Sequence, residues 1–195
     1  MSAAGGRKAA FIDRDGVINE ERAFVYRAED FDFVPGAVAA LRELQSAGYL
    51  LVVITNQSGI ARGLYTEEDY LRLTAYMREQ LAAAGVSLAA VYHCPHLPDA
   101  TVERYRVDCD CRKPRPGMLT RAIAELNIDP RGSILIGDRG SDLQAARAAG
   151  VGRCFLVRSG NALSPQDSDA ADEVYDDIKA CVKQVLAVQP PPDRC

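Results

Sequence analysis

Apolar residues in this chain fall in short runs that alternate with stretches of helical spacing. Ala9–Ile12 is an apolar run stopped by Asp13-Arg14-Asp15-Gly16, the pattern of a buried strand ending in a turn. A polar and aromatic stretch from Asn19 to Phe33 reads as an irregular loop. Pro35-Gly36 opens a helix carrying Val38, Leu41 and Leu44 on one face, and Gly48 stops it. Leu50–Ile54 is a second buried strand, ending in Thr55-Asn56-Gln57-Ser58-Gly59. Thr66 and Asp69 form a capping pair for a helix that Leu71, Leu73, Tyr76, Met77 and Leu81 carry to Gly85. Further along, the spacing predicts strands at Leu88–Tyr92, Ser133–Ile136 and Arg153–Val157. It predicts helices at Pro116–Leu126, Leu143–Ala149 and Ala171–Val188. Residues 93–111 form an irregular segment, and Pro190-Pro191-Pro192 cannot continue the last helix, so a disordered tail is expected at 190–195.

Strands alternating with helices predict right-handed βαβ units, hence an α/β fold: a parallel sheet with helices on both faces. Such sheets bind ligands beyond the C-terminal ends of their strands. The polar clusters after the first, second and fourth predicted strands all fall at that edge. With 195 residues, one domain over 1–189 is expected, and no internal repeat is visible.

Composition narrows the class. The chain is 48% hydrophobic and 26% charged, with 23 basic against 27 acidic residues and no basic block. That argues against a nucleic-acid partner. No run is long and apolar enough for a membrane span, and the N-terminus lacks the apolar stretch of a secretion signal, so a cytoplasmic protein is expected. No exposed apolar stripe calls for a dimer, and a monomer is expected.

The chemistry-bearing residues sit at the strand ends. Asp13 and Asp15 follow the first strand at i and i+2, so both can face one site while Gly16 turns the chain. One carboxylate can serve as nucleophile and the other as acid and base, although a DxDG alone also suits a solvated turn or a plain cation loop. Thr55 to Gly59 offers hydroxyls, amides and backbone donors to phosphate oxygens, or forms a simple polar turn. Arg112-Lys113 places two cations together. Asp138 can ligate a metal, while Asp142 serves as a helix cap or orients Lys113 or a metal-bound water.

Cys94-x-His96 and Cys109-x-Cys111 bracket residues 97–108. Three thiolates and an imidazole are the usual set for a structural Zn²⁺ with no open coordination position. A Cys94–Cys109 disulfide is the rival, disfavoured in a reducing compartment. His93 is adjacent to Cys94, but His96 is preferred because one intervening residue lets both side chains point the same way. Zinc would pin a loop too poor in apolar residues to fix itself, and would hold Arg112 and Lys113 over the strand ends. Cys154 and Cys181 read as core residues and Cys195 as incidental.

The order of these signals resembles the haloacid dehalogenase (HAD) superfamily of phosphatases over residues 11–142. That resemblance implies a three-layer α/β/α fold in which Asp13 attacks phosphorus and Asp15 acts as acid and base. It implies Mg²⁺ held by Asp13, the Asp15 backbone carbonyl and Asp138, with Thr55 and Lys113 stabilising the transferring group. The gaps between Asp15 and Thr55 and between Thr55 and Lys113 are too short for a cap domain.

A narrower resemblance is carried by FIDRDGVIN, TNQSGIARG, CPHLPD, CDCRKPRPGM and GDRGSD. They are similar to the heptose-1,7-bisphosphate 7-phosphatase family, which makes heptose for bacterial lipopolysaccharide or surface glycans. The related histidinol-phosphate phosphatases share most of these motifs but differ after TNQ, and they remain the alternative. The resemblance implies a small sugar bisphosphate as partner. It gives Asn56, Gln57, Ser58, Arg112 and Arg139 to the substrate, and Cys94, His96, Cys109 and Cys111 to zinc. Two positions depart from the family pattern: Ala23-Phe24 replaces Gly-Tyr, and Arg139 replaces Lys.

Two readings of another class stand beside the phosphatase. A phospho-accepting receiver domain needs a carboxylate after the third strand, where this chain has Tyr92-His93-Cys94. A non-catalytic zinc scaffold is distinguished only by turnover.

Overall fold

The first strand, β1 (Ala9–Ile12), lies in the middle of a six-stranded parallel sheet. The computed structural model describes residues 6–188, so the tail expected at 190–195 lies outside them. The other strands are β2 (Leu50–Asn56), β3 (Leu88–Cys94), β4 (Ile134–Gly137), β5 (Arg153–Val157) and β6 (Glu173–Tyr175). Their order is β3-β2-β1-β4-β5-β6, so the chain leaves β1 first to one side and later to the other. That reversal opens a crevice at the C-terminal ends of β1, β2 and β4. Ile12 pairs with Val53 on one side and Ile136 on the other, which brings Asp13, Thr55 and Asp138 to neighbouring positions just beyond.

Period-two alternation divides the apolar residues between the two faces. Ala10, Ile12, Leu51, Val53, Ile134, Ile136, Phe155 and Val157 face one core, built with α1 (Ala37–Ser46), α3 (Glu67–Ala83) and α7 (Ile178–Ala187). Ala9, Phe11, Val52, Ile54, Leu135, Cys154 and Leu156 face the other, covered by α4 (Gly117–Leu126) and α5 (Gly140–Ala148). Both faces are thus buried, which is why the strands read as continuous apolar runs. A third small cluster, including Ile60, Tyr65, Leu97 and Tyr105, joins the one-turn helix α2 (Ser58–Ala61) to the cysteine loop. Among the described residues, the β1–β2 and β2–β3 connections hold helices and loops but no separate cap.

The C-terminal region corrects the sequence expectation. The single helix expected over 171–188 is instead β6 followed by the shorter α7, so the sheet gains a sixth strand, and a short helix not expected from the sequence, α6 (Pro165–Ala170), precedes them. The reason is local capping. Ser164 accepts from Asp167 N with Pro165 opening α6, and Asp177 accepts from Ala180 N at 2.8 Å to start α7 afresh. A three-residue edge strand is too short for its alternation to register. Elsewhere the shifts are small: α5 begins at Gly140 rather than Leu143, and β3 runs on to Cys94, carrying the first cysteine of the metal cluster on a strand end.

Candidate active site

Asp13 leaves β1 with its backbone N–H on Ile136 O at 3.0 Å, which fixes its carboxylate over the β1–β4 seam. Lys113 reaches it from the far side of the sheet, Nζ to Asp13 Oδ1 at 3.0 Å. The same ammonium lies 2.5 Å from Asp142 Oδ1 and donates to Ile54 O at 2.9 Å. Burial works against the charge on Lys113, but Asp13 and Asp142 outweigh it and push its pKa up. Burial drives the pKa of Asp13 up as well, well above the usual carboxylate range. Lys113 opposes this, while Asp142, Asp138 and Asp15 add to it.

Asp142 is not the N-cap of α5, a position Arg139 takes, but its carboxylate caps the helix from the third position and also faces Lys113. Its Oδ2 accepts from the N–H groups of Asp138 at 3.2 Å and Arg139 at 3.0 Å, capping α5, while Oδ1 faces Lys113.

Asp15 stands apart from this group. Its Oδ1 accepts from Arg14 Nη2 at 2.8 Å and Nε at 3.2 Å and from Asn19 Nδ2 at 3.1 Å; its Oδ2 accepts from Gln57 Nε2 at 3.0 Å. Gln57 Nε2 also donates to Thr55 Oγ1 at 2.8 Å, and Gln57 Oε1 accepts from Tyr65 at 2.6 Å. Both ends of the Gln57 amide are therefore engaged by the protein, and it sets Thr55 and Asp15 relative to each other. Asn56 is committed in the same way. Its amide donates to Lys113 O at 3.0 Å and accepts from Lys113 N at 3.1 Å, clamping that lysine's backbone to β2. Both residues, read from sequence as substrate contacts, line the cleft, but their hydrogen bonds position Asp15, Thr55 and Lys113.

The cleft holds about 500 Å³ and is lined by Asp13, Asp15, Thr55, Ser58, Arg112, Lys113 and Arg139, with Glu21, Ala23 and Phe24 at the first loop. Arg139 is half exposed, 3.9 Å from Glu21 and 4.0 Å from Asp138. A larger cavity of about 690 Å³ lies on the far side of Tyr65 and holds none of the strand-end acids.

Two groups of side chains fit metal ions. Oxygens of Asp13, Asp138 and Asp142 lie within 4.8 Å of one another. Asp138 Oδ1 is buried with no hydrogen-bond partner, an orphan acceptor on a carboxylate grouped with two others. All-oxygen ligands of this charge suit a hard divalent cation such as Mg²⁺. With Asp142 spent on Lys113 and the backbone, Asp13 and Asp138 are the residues free to hold it.

Cys94, His96, Cys109 and Cys111 form the second group and could hold zinc. The sulfur separations are 3.1–3.5 Å, and His96 Nδ1 lies 3.4 Å from Cys111 Sγ. A disulfide needs about 2.05 Å, so the three cysteines are free thiols, not a bridge. His93 points elsewhere, with Nε2 on Glu67 at 3.1 Å and its ring tilted against Tyr70. The cluster is tied to the cleft: Gln57 N donates to Cys94 O at 2.8 Å, and Arg112, next to Cys111, donates to His96 O at 3.3 Å. Cys154 and Cys181 are fully buried core residues, as expected, and Cys195 lies outside the described residues.

Three participants escaped the sequence reading. Arg14 is 1% exposed and turns inward between two site acids. Tyr65 reaches back from the turn after α2 to Gln57. Asn161, beyond β5, donates to Asp138 Oδ2 through both its backbone and its side chain, at 2.8 and 2.6 Å. The first carried a visible signal, a cation inside DxD; the others are brought in only by loop paths.

An acid-lined cleft at the switch point of this sheet, with a buried lysine against the leading Asp, defines a HAD-type hydrolase. The HAD-hydrolase-like family matches residues 110–181. The D-glycero-beta-D-manno-heptose-1,7-bisphosphate 7-phosphatase of Photorhabdus laumondii is 45% identical over 184 residues, 94% of this chain and 98% of that one. The Escherichia coli K12 enzyme of the same name is 46% identical over 183 residues, covering 94% and 96%. A crystal structure of D,D-heptose 1,7-bisphosphate phosphatase from B. bronchiseptica with magnesium and phosphate superposes with a TM-score of 0.81. It is 34% identical and covers 93% of this chain and 99% of that one. This chain belongs to the D-glycero-beta-D-manno-heptose-1,7-bisphosphate 7-phosphatase family.

Proposed function

We propose that this chain removes the 7-phosphate of D-glycero-D-manno-heptose 1,7-bisphosphate in bacterial heptose precursor synthesis. The observation that carries it is the convergence of Asp13, Asp15, Thr55, Lys113, Arg112 and Arg139 on one cleft, in a chain of this family. Asp13 is the nucleophile: its carboxylate attacks phosphorus as the bond to the sugar oxygen breaks, and Asp15 gives that oxygen its proton. Asp15, now a carboxylate, takes a proton from the water that attacks the aspartyl-phosphate. Asp13 leaves as a carboxylate and inorganic phosphate is released. Thr55 and Lys113 donate to the oxygens on which charge spreads. Bound Mg²⁺, held by Asp13, the Asp15 carbonyl and Asp138, supplies positive charge that lets a phosphate approach three carboxylates. Ser58, Arg112 and Arg139 are left to bind the remainder of the substrate.

A bisphosphate carries a second dianion, and arginine offers it a planar fork. The reading includes a monomer in a reducing compartment such as the cytoplasm, where three free thiols stay available to zinc. The test is phosphate release from heptose 1,7-bisphosphate, heptose 7-phosphate and histidinol phosphate. The bisphosphate should lead in kcat/KM by about tenfold or more, a charge-assisted bond being worth roughly 1.5–3 kcal/mol. Arg112→Ala should narrow that lead. Equal efficiency on both sugars, or preference for histidinol phosphate, would overturn the substrate assignment.

A further inference from the structure

The segment after β5 wraps the Asp138 carboxylate so closely that only glycine fits at two points. A Cβ on Gly160 would lie 2.2 Å from Asp138 Oδ2; one on Gly16 would lie 2.7 Å from the same oxygen and 2.6 Å from Gly160 Cα. Ser159 Oγ donates to Gly16 O at 2.7 Å and ties this segment to the turn that follows the leading acids. So placed, Asn161 puts two donors on Asp138 Oδ2, at 2.8 Å from its backbone and 2.6 Å from its side chain. The opposite oxygen, Oδ1, is buried and has no hydrogen-bond partner.

A carboxylate rotates about one bond, and either oxygen can lead. Two bonds to Oδ2 fix which one does, and they leave Oδ1 as the unpartnered oxygen of a carboxylate grouped with Asp13 and Asp142. From this geometry we infer that Asn161 is a positioning residue for the divalent cation. It holds Asp138 in the rotamer that presents a single free oxygen to the ion. The inference rests on the reading of Asp138 as a magnesium ligand. Outer partners of metal ligands typically change metal affinity 10–100-fold when removed.

The rival reading is that Asn161, which lines the cleft, touches only the substrate. Calorimetric titration of the substrate-free protein with Mg²⁺ separates the two, because no sugar is present. Asn161→Ala keeps the backbone donor and loses the side-chain one. Its Mg²⁺ affinity should fall about tenfold or more, with unfolding temperature unchanged. Gly160→Ala, which pushes the whole segment off Asp138, should weaken Mg²⁺ binding further; its circular dichroism spectrum serves as the check on folding.

Unchanged Mg²⁺ affinity in Asn161→Ala, with or without a raised KM for the sugar bisphosphate, overturns the inference while leaving Asp138 as ligand. Asp138→Ala is the separate control. If it binds Mg²⁺ as the unaltered protein does, the reading of Asp138 itself fails, and this inference fails with it.

Discussion

Lys113 Nζ sits 2.5 Å from Asp142 Oδ1 and 3.0 Å from Asp13 Oδ1, and all three side chains are nearly excluded from water. One ammonium therefore balances a cluster of buried acids. Lys113→Met should remove transfer activity and also destabilise the fold. Breaking a buried pair by deleting one partner costs about 3–5 kcal/mol, because the other charge stays behind. Urea unfolding should show that loss, and Mg²⁺ should restore part of it by replacing the missing positive charge. A variant as stable as the parent without Mg²⁺ would mean that the acids do not depend on the lysine.

Asp13→Asn should leave the fold intact, since the amide is the same size and still accepts from Lys113. It cannot form an acyl-phosphate, so phosphate release should fall to background. Release at a rate near that of the unaltered protein would sink the covalent mechanism.

The cysteine cluster should carry one zinc per chain in protein purified without added metal, measured by elemental analysis. Cys109→Ser should lose zinc and loosen residues 94–113. Faster deuterium exchange there should accompany lower activity, although no proposed catalytic group is removed. The coupling is physical: Cys111 leads directly to Arg112 and Lys113, and Arg112 donates to His96 O. Full activity in a zinc-free variant would show that Asn56, which clamps Lys113 from β2, suffices alone.

Arg14 grips Asp15 through Nε and Nη2, and the same Nη2 donates to Val25 O at 2.8 Å. The first loop and the acid–base carboxylate are thus fastened to one guanidinium. Arg14→Lys keeps a charge but cannot reproduce a planar fork. It should lower kcat at least tenfold while KM changes little, since Arg14 does not line the cleft. A rise in KM with unchanged kcat would place its effect on binding instead.

How much of this was legible follows from the reach of each signal. Buried parallel strands announce themselves as apolar runs, so β1, β2 and β5 were found within a residue or two of their bounds. The acids, Thr55 and Lys113 were legible because a parallel sheet delivers its strand ends to one edge. The candidate zinc set is legible from four ligands of two types at close spacing, and His96 is preferred to His93 on side-chain direction alone. Asn161 was not legible, since its place depends on a loop closing over Gly16. Nor was the commitment of Asn56 and Gln57 to the protein, because an amide's partners are decided by chains 57 and 42 residues away. The short α6 and the late start of α7 are not predicted, although Ser164-Pro165 and Asp177 stand in the sequence as start signals; the apolar spacing of α7 masks them.

Ala23 and Phe24 are consecutive residues in the left-handed region, at φ 52° and 65°. Side chains there cost roughly 1–2 kcal/mol per residue relative to the right-handed form. The loop is held in place by Ala23 N on Glu21 Oε1 at 2.8 Å and by Val25 O on Arg14. Phe24 stands 43% exposed at the rim of the cleft. Ala23→Gly removes one of the two penalties. It returns about 0.4–1 kcal/mol of that gain as extra freedom in the unfolded chain. The net should be a stabilisation approaching 1 kcal/mol, or an unfolding temperature about 2–4 °C higher for a chain of this size. Function should move the other way. On a glycine hinge Phe24 loses its fixed place, and KM for the sugar bisphosphate should rise while kcat holds, because no proposed catalytic group has moved. Calorimetric melting and steady-state kinetics on the one variant check both halves. A lower melting temperature would show that the left-handed turn is stabilised by contacts stronger than its strain.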